Sequence, residues 1–397
     1  MSKSIPTPVT GSQDVSDPVT VISPRKLSAR IRDHFEKLTD PRRRKVTYPL
    51  INVVVIAVCA VLCGADDFVA IADYGRKKRK WLSQFLDLSA GIPSHDRFNA
   101  IFGAIKPDEF QVCLLSWITA LHEVTNGQIV AIDGKTLRRS FDAATSKSAI
   151  HMVSAWATAN CISLGQVVVD EKSNEITAIP ELLEMIEVSG GLVTIDAMGC
   201  QTQIAKKIVE VGADYVLAVK GNQPTLQGGI ESFFVGHLED DFAGVQVSRH
   251  ETAERGHGRE DMRMYVVCPV PEDLPGRRRW KKLTAIGMAM SDTLRDGKQT
   301  TDVRYYILSR KLSGRQFAAA VREHWSIENR LHWQLDVTFG EDQSRIRKGH
   351  ADANFSIVRR TALSLLKNNR TLKVGVKNKR LSAGWCDDYL AQVLLGQ

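Results

Sequence analysis

Apolar residues recur along this chain in three rhythms, and the changes of rhythm divide it. From about residue 25 to 125 the spacing is helical. KLSARIRDHFEKL has an apolar and a charged face, LINVVVIAVCAVLCG (Leu50–Gly64) is an unbroken apolar run, and PSHDRFNAIFGAI opens on Pro-Ser, a favourable helix start. The apolar run is about fifteen residues long, short of the roughly 20 that a membrane span requires, so it predicts a core helix. After Asn126-Gly127 the period shortens. QIVAID, HMVSAWATA and ISLGQVVVD predict three strands, followed by a helix in IPELLEMIEV, a strand in GLVTID, a helix in QIAKKIVEVG and a strand in DYVLAVKG. Three strands followed by alternating helix and strand predict a mixed α/β sheet. VQVSRHETAE, MRMYVVCPV, KKLTAIGMAM and VRYYILSR then read as strands between Gly-, Pro- and Asp-rich turns. Ser313-Gly314 opens a long helix, RQFAAAVREHWSIENRLHWQLDV, and a second helix is predicted over 351–368.

The implied organisation is a disordered tail (1–27), a helical N-terminal domain (28–125), a mixed-sheet core in two parts (126–235 and 311–397) and a β-rich insertion between them (236–310). The strand order is that of an RNase H-like core. The start of the sequence, rich in Ser, Thr, Pro and Asp, lacks the apolar segment of a signal peptide.

Composition narrows the class. With 43% hydrophobic and 25% charged residues the chain has the make-up of a soluble protein with a substantial core. Lys+Arg exceed Asp+Glu by 53 to 45, a net +8 that suits a polyanionic partner without requiring one. The excess is local: Glu341 to Arg380 carries eleven Lys/Arg against three acids. DPRRRK (40–45) and GRKKRK (75–80) flank the apolar helix and are most simply solvated surface. Seven scattered cysteines without a CxxC pair argue against a disulfide framework or zinc ribbon and for reduced thiols in a cytosol.

Three acids stand out. Asp133 in IVAIDGK and Asp196 in LVTIDAM each close an apolar, strand-like run and precede a small residue. An acid at the end of a buried strand needs a hydrogen bond, an ion pair or a metal; capping a turn would also satisfy it. On the long helix, at about 100° per residue, Glu328 falls about 20° from Phe317, within the stripe formed by Val321, Trp325, Leu331, His332 and Leu335. Glu323 falls on the opposite face and Asp336 at the stripe's edge. Glu328 is therefore expected to face the core, paired with a base or bound to metal. Trp325 and Trp333 are expected in the core. Three inward acids suit hard cations, Mg²⁺ or Mn²⁺, and two such metals serve in-line displacement at phosphorus. Nuclease, polymerase, phosphatase and transposase chemistry all remain open on these residues alone.

REHWSIENRLHWQLDVTFGEDQSRIRKGHADANFSIVRRTALSLLK resembles insertion-sequence transposases of the DDE class, specifically their H-repeat-associated branch. IVAIDGKTLRRS, TIDAMGCQ, DYVLAVKGNQPTL, ERGHGRED, DPRRRKVTYPL and GIPSHDRF match the same branch, so the resemblance covers roughly residues 28 to 370. It implies a catalytic, metal-binding trio of Asp133, Asp196 and Glu328 with Mg²⁺ or Mn²⁺. It also implies cutting at terminal inverted repeats and joining of the 3′-hydroxyl to target. Double-stranded DNA, both element ends and target, becomes the partner, with a homodimer on DNA pairing two ends, in the cytoplasm and on the nucleoid.

The wider group's Tyr, Arg and Lys around the Glu fall here on Val321, His324 and Leu335, so that signature is absent apart from the Glu. Arg322, His324 or His332 are the substitutes at hand for contacts to the terminal phosphate. Lys220, His257, Arg259, Arg345, Arg347 and Lys348 are further DNA-contact candidates, and Arg359 and Arg360 lie where phosphate contacts would be useful. An inactive DNA-binding descendant, or a nuclease of the same fold that never joins, are the alternatives.

Overall fold

A computed structural model of the chain describes residues 31–43, 46–122, 128–141, 148–169, 174–256 and 258–397. The expected tail over 1–27, the Asn126-Gly127 boundary, the end of the DPRRRK run and the candidate His257 lie outside the described residues.

After a helical segment at 31–35, the helical stretch holds α1 (Leu50–Leu62), α2 (Phe68–Lys77), the single turn α3 (Arg79–Leu82), α4 (His95–Ala104) and α5 (Pro107–Leu121). Helix α1 is the expected core helix, with Asn52 to Leu62 all buried. Among the described residues no helix is long and apolar enough to cross a membrane. Ser94 caps α4 by accepting from the Arg97 N–H, as its sequence predicts.

Strands β1 (Ile129–Thr136), β2 (His151–Ala157) and β3 (Ile162–Val169) are followed by α6 (Glu175–Met185), β4 (Leu192–Ile195), α7 (Thr202–Glu210), β5 (Asp214–Val219) and α8 (Pro224–Leu238). Four more strands complete the β structure: β6 (Ser248–Gly256), β7 (Arg259–Pro269), β8 (Ala285–Arg295) and β9 (Lys298–Leu308). All nine form one sheet in the order β3-β2-β1-β4-β5-β9-β8-β7-β6. β1, β4 and β5 are parallel, and every other neighbouring pair is antiparallel. The strands of 236–310 thus continue the central sheet, joined through the Val216–Leu308 to Val219–Tyr305 ladder.

The long helix of the sequence reading is two helices with a wider turn between them. α9 (Gly314–Ile327) begins with a reciprocal capping box between Ser313 and Gln316. A π turn spans Glu328–His332, and α10 (Trp333–Phe339) follows. α9 lays Phe317, Ala318, Ala320 and Val321 against Tyr265, Ala289, Tyr306 and Leu308 of the sheet.

α11 (Ala351–Asn368) is buried over nearly its whole length. Asn354 Nδ2 donates to the Phe102 and Ile105 carbonyls (2.7 and 2.9 Å), closing the end of α4. α12 (Val376–Trp385) and α13 (Asp387–Leu394) finish the fold. Arg380, on α12, donates to the carbonyls of Val61, Ala65 and Thr338 and to Asp66, tying α1 to α10.

Arg359 and Arg360, expected near DNA phosphate, lie instead in the core, at 1% and 2% exposure. Arg359 stacks on Phe355, and burial holds its pKa down at about 10. Arg360 meets the wholly buried Glu341 at 3.0 Å, and Glu341 also accepts from Ser356 (2.7 Å) and from Lys135 (3.2 Å). Burial alone would raise the Glu341 carboxyl. The charges of Arg360, Lys135 and Arg359 outweigh it and hold the group at about 2. A carboxylate depressed below its unfolded value stabilises the fold above pH 4.5 and loses that contribution as pH falls towards 2. Glu341→Gln should therefore lower stability by about 3–5 kcal/mol at neutral pH. Its acid-unfolding limb over this window should be shallower than the wild type's. Denaturant melts at pH 7 and pH 3 check both points; equal losses at the two pH values would contradict the assignment.

Candidate active site

Asp133 and Asp196 are brought together by strand pairing. The parallel ladder between β1 and β4 ends at Ile132↔Ile195, so the next residue on each strand is an aspartate. β1 itself does not stop at Asp133, as the sequence suggests, but runs on to Thr136 against β2. Alternation puts Ala131, Asp133 and Lys135 on one face of β1, and Ile132 and Gly134 on the other.

Asp196 Oδ1 accepts from the N–H groups of Met198 and Gly199 at 3.0 and 3.4 Å. Burial raises its carboxyl above the ordinary range. The two N–H groups pull it down, while the charges of Asp133 and Glu175 push it up further. The pair is thus an anionic centre short of positive charge.

Two histidines from the helices close over it. His324 is buried, with Nδ1 3.2 Å from Thr194 Oγ1 on β4. Burial lowers its pKa against the pull of Asp133 and Asp196, so the ring is neutral at physiological pH. His332 is 4% exposed, and its Nε2 lies 3.2 Å from Asp133 Oδ2. The approach is off the hydrogen-bonding direction, which leaves both ring nitrogens without a hydrogen-bond partner.

Glu328 does not face the core. It heads the π turn, and Glu328, Asn329 and Arg330 are all exposed before burial resumes at Leu331. The helix keeps its regular step from Phe317 as far as Glu328, but its buried stripe runs through His324, Ile327 and Leu331 and leaves Trp325 and Glu328 outside it. Trp325 and Trp333 are likewise exposed, at 39% and 52%, and are not core. Trp325 instead lines a groove of about 610 Å³ between α9 and β7–β9 with Arg263, Arg304, Arg322 and Arg330, and the Arg304 guanidinium stacks on its ring at 4.4 Å.

Of the candidate DNA contacts, Lys220, Arg345 and Lys348 face solvent, Lys220 just past the end of β5 and beside the Asp196 edge of the sheet. Arg259 and Arg322 are exposed but paired with Asp261 (2.8 Å) and Glu254 (2.7 Å). Arg347 lies over Phe141 and donates to the Arg139 carbonyl.

A hard divalent cation suits the Asp133–Asp196 pair, two adjacent oxygen donors of like charge with Asp196 penalised for being ionised alone. The third carboxylate is not assembled: among the described residues no three His, Cys, Asp or Glu side chains gather closely enough to hold a metal ion. All seven cysteines are free.

Comparison with known proteins decides the family. Residues 125–365 match the family profile described as Transposase DDE domain, and residues 32–118 match the one described as DDE_Tnp_1-associated. The chain belongs to the DDE transposase family. It is 39% identical over 377 residues to "H repeat-associated putative transposase YhhI" of Escherichia coli (strain K12), covering 92% of this chain and 98% of that protein. It is 41% identical over 367 residues to "Putative transposase YncI" of Escherichia coli O157:H7, covering 91% and 93%. A protein of Xanthobacter autotrophicus, named only for its place in the dhlA 3′ region, is 38% identical over 285 residues, covering 69% and 92%.

Sequence reasoning missed several residues at this transposase-family site. Glu175 is one: its carboxylate lies 2.6 Å from His151 Nε2 and presses on the β1 backbone at Gly134. Lys135 and Glu341 are others: Lys135 ion-pairs with Glu341 and with Asp336, the acid at the stripe's edge. The available signal was Gly134 itself. A Cβ there would come within 1.9 Å of Glu175 Oε1 and 2.7 Å of His151 Nε2, so only glycine admits the Glu175 carboxylate at this point, on the face of β1 opposite the Asp133 side chain. Gly134→Ala should fold, because the long Glu175 side chain can swing away, at a cost of about 1–3 kcal/mol. It should also release His151 from its carboxylate. A thermal melt and the His151 ring resonances in NMR test this, and wild-type values of both would place Glu175 elsewhere.

Proposed function

We propose that this chain is an active DNA transposase. In this reading it cuts DNA at the terminal inverted repeats of an insertion sequence and joins the freed 3′-hydroxyl ends to target DNA, as a homodimer that pairs two ends. The observation that carries the reading is the pair of aspartates set side by side where β1 and β4 stop pairing, in a chain of the DDE transposase family. The order β3-β2-β1-β4-β5, with its parallel and antiparallel pattern, supports reading this half of the sheet as an RNase H-like core.

Asp133 and Asp196 would hold Mg²⁺ or Mn²⁺, with Glu328 as the third carboxylate. Support for Glu328 comes from its place: it heads the π turn, one turn from His324 before it and His332 after it, and both histidines lie against the acid pair. π turns within helices recur at functional sites. A metal held there would supply Lewis-acid stabilisation of the attacking and leaving oxygens at phosphorus. The protein's own contribution is to fix two carboxylates by strand register and to keep His324 neutral and packed on Thr194. Lys220, Arg345 and Lys348, free to solvent, would meet the phosphate backbone.

The test is a labelled duplex carrying the gene's flanking sequence, incubated with Mg²⁺ or with EDTA. Wild type should cut and join only with metal. Asp133→Asn, Asp196→Asn and Glu328→Gln should each abolish cleavage while duplex binding in a gel-shift assay persists. Binding without any cleavage by the wild type would favour an inactive descendant, and cleavage without joining would favour a nuclease. Activity surviving in one of the three variants would remove that residue from the trio.

A further inference from the structure

On one face of β1, Asp133 and Lys135 stand two residues and about 7 Å apart. On the helix that follows the π turn's start, His332 and Asp336 stand one turn and about 6 Å apart, on one side. The two spacings match: one pair of side chains is in close approach without a hydrogen bond, and the other is an ion pair. His332 Nε2 lies 3.2 Å from Asp133 Oδ2, and Lys135 Nζ donates to Asp336 Oδ1. Lys135 Nζ also reaches Glu341 Oε2 at 3.2 Å, and Glu341 is held from its other oxygen by Arg360 and Ser356. Lys135 is 10% exposed and is the cation shared between two carboxylates.

We infer that these two rungs form a positioning clasp, with Lys135 and Asp336 as positioning residues that set where the π turn, and Glu328 at its head, stands relative to Asp133 and Asp196. The inference rests on the proposed role of those three acids. The register is what matters. A helix ion-paired to the strand at Asp336 and packed against it one turn earlier at His332 is restrained from sliding, and Glu328 lies four residues before His332, at the other end of the π turn. Without Lys135, the Asp336 and Glu341 carboxylates would face each other with no cation between them. α10 would then move off β1 and carry Glu328 with it.

The experiment uses the full chain and four proteins: wild type, Lys135→Met, Asp336→Asn and Asp133→Asn. Mn²⁺ binding to the metal-free protein is read from the electron paramagnetic resonance of free Mn²⁺, alongside duplex binding, Mn²⁺-dependent cleavage and thermal melts. Lys135→Met and Asp336→Asn should each weaken Mn²⁺ binding and slow cleavage by about 10–100-fold, with duplex affinity unchanged. A purely structural role for the ion pairs would lower the melting temperature without moving Mn²⁺ affinity, and that result would overturn the clasp. Should Lys135→Met fail to fold, Asp336→Asn decides alone, since Asp336 is 31% exposed and its loss leaves Lys135 paired with Glu341. Asp133→Asn separates the two levels of the argument. If it abolishes metal binding while Asp336→Asn behaves as wild type, the clasp is wrong and the site stands. If it binds and cuts like wild type, the site itself is wrong and the clasp goes with it.

Discussion

A carboxylate with no exposure at all, Glu341, is the point on which this structure turns. It takes one cation from the strand that carries Asp133 and another from α11, the helix around which α1, α2, α4 and α5 are packed. Burying three charges is expensive, and the cost is met only when all partners arrive in one geometry. The cluster therefore works less as a source of stability than as a selector of one arrangement among several packings of similar apolar content. Two layers that could otherwise slide on greasy contacts are given a single register.

The uncharged parts of this design were legible in the sequence. The apolar run at Leu50, the strands closing on Asp133 and Asp196, the four strands after Gly236 and the helix at 351–368 all have runs or periods that only one element satisfies. The adjacency of the two aspartates was legible too, since matching contexts on neighbouring strands bring them level. The charged interior was not. Lys135, Glu341, Arg359 and Arg360 were invisible or misread, because a charge in a sequence carries no mark of burial until its partner, up to some 200 residues away, is known. Glu328 was misplaced for a different reason. Its angle on the helix holds, but apolar spacing alone does not show that the buried stripe passes through His324, Ile327 and Leu331 and leaves Glu328 outside. Helix α8 gave no clear period in PTLQGGIESFF, where its glycines dilute the apolar face.

The continuity of the nine-stranded sheet carries a mechanical consequence. β1 and β6 are separated by six strand steps, about 29 Å, and the register runs unbroken along the described ladders between them. A twist of about 20–25° per step turns β6 by about 120–150° relative to β1. The far hairpins therefore form a cantilever whose angle to the acid pair is set by backbone hydrogen bonds rather than by a hinge. Whatever the hairpins grip is held in a frame fixed to the aspartates, and any change in that angle has to be taken up as torsion shared across the whole plate.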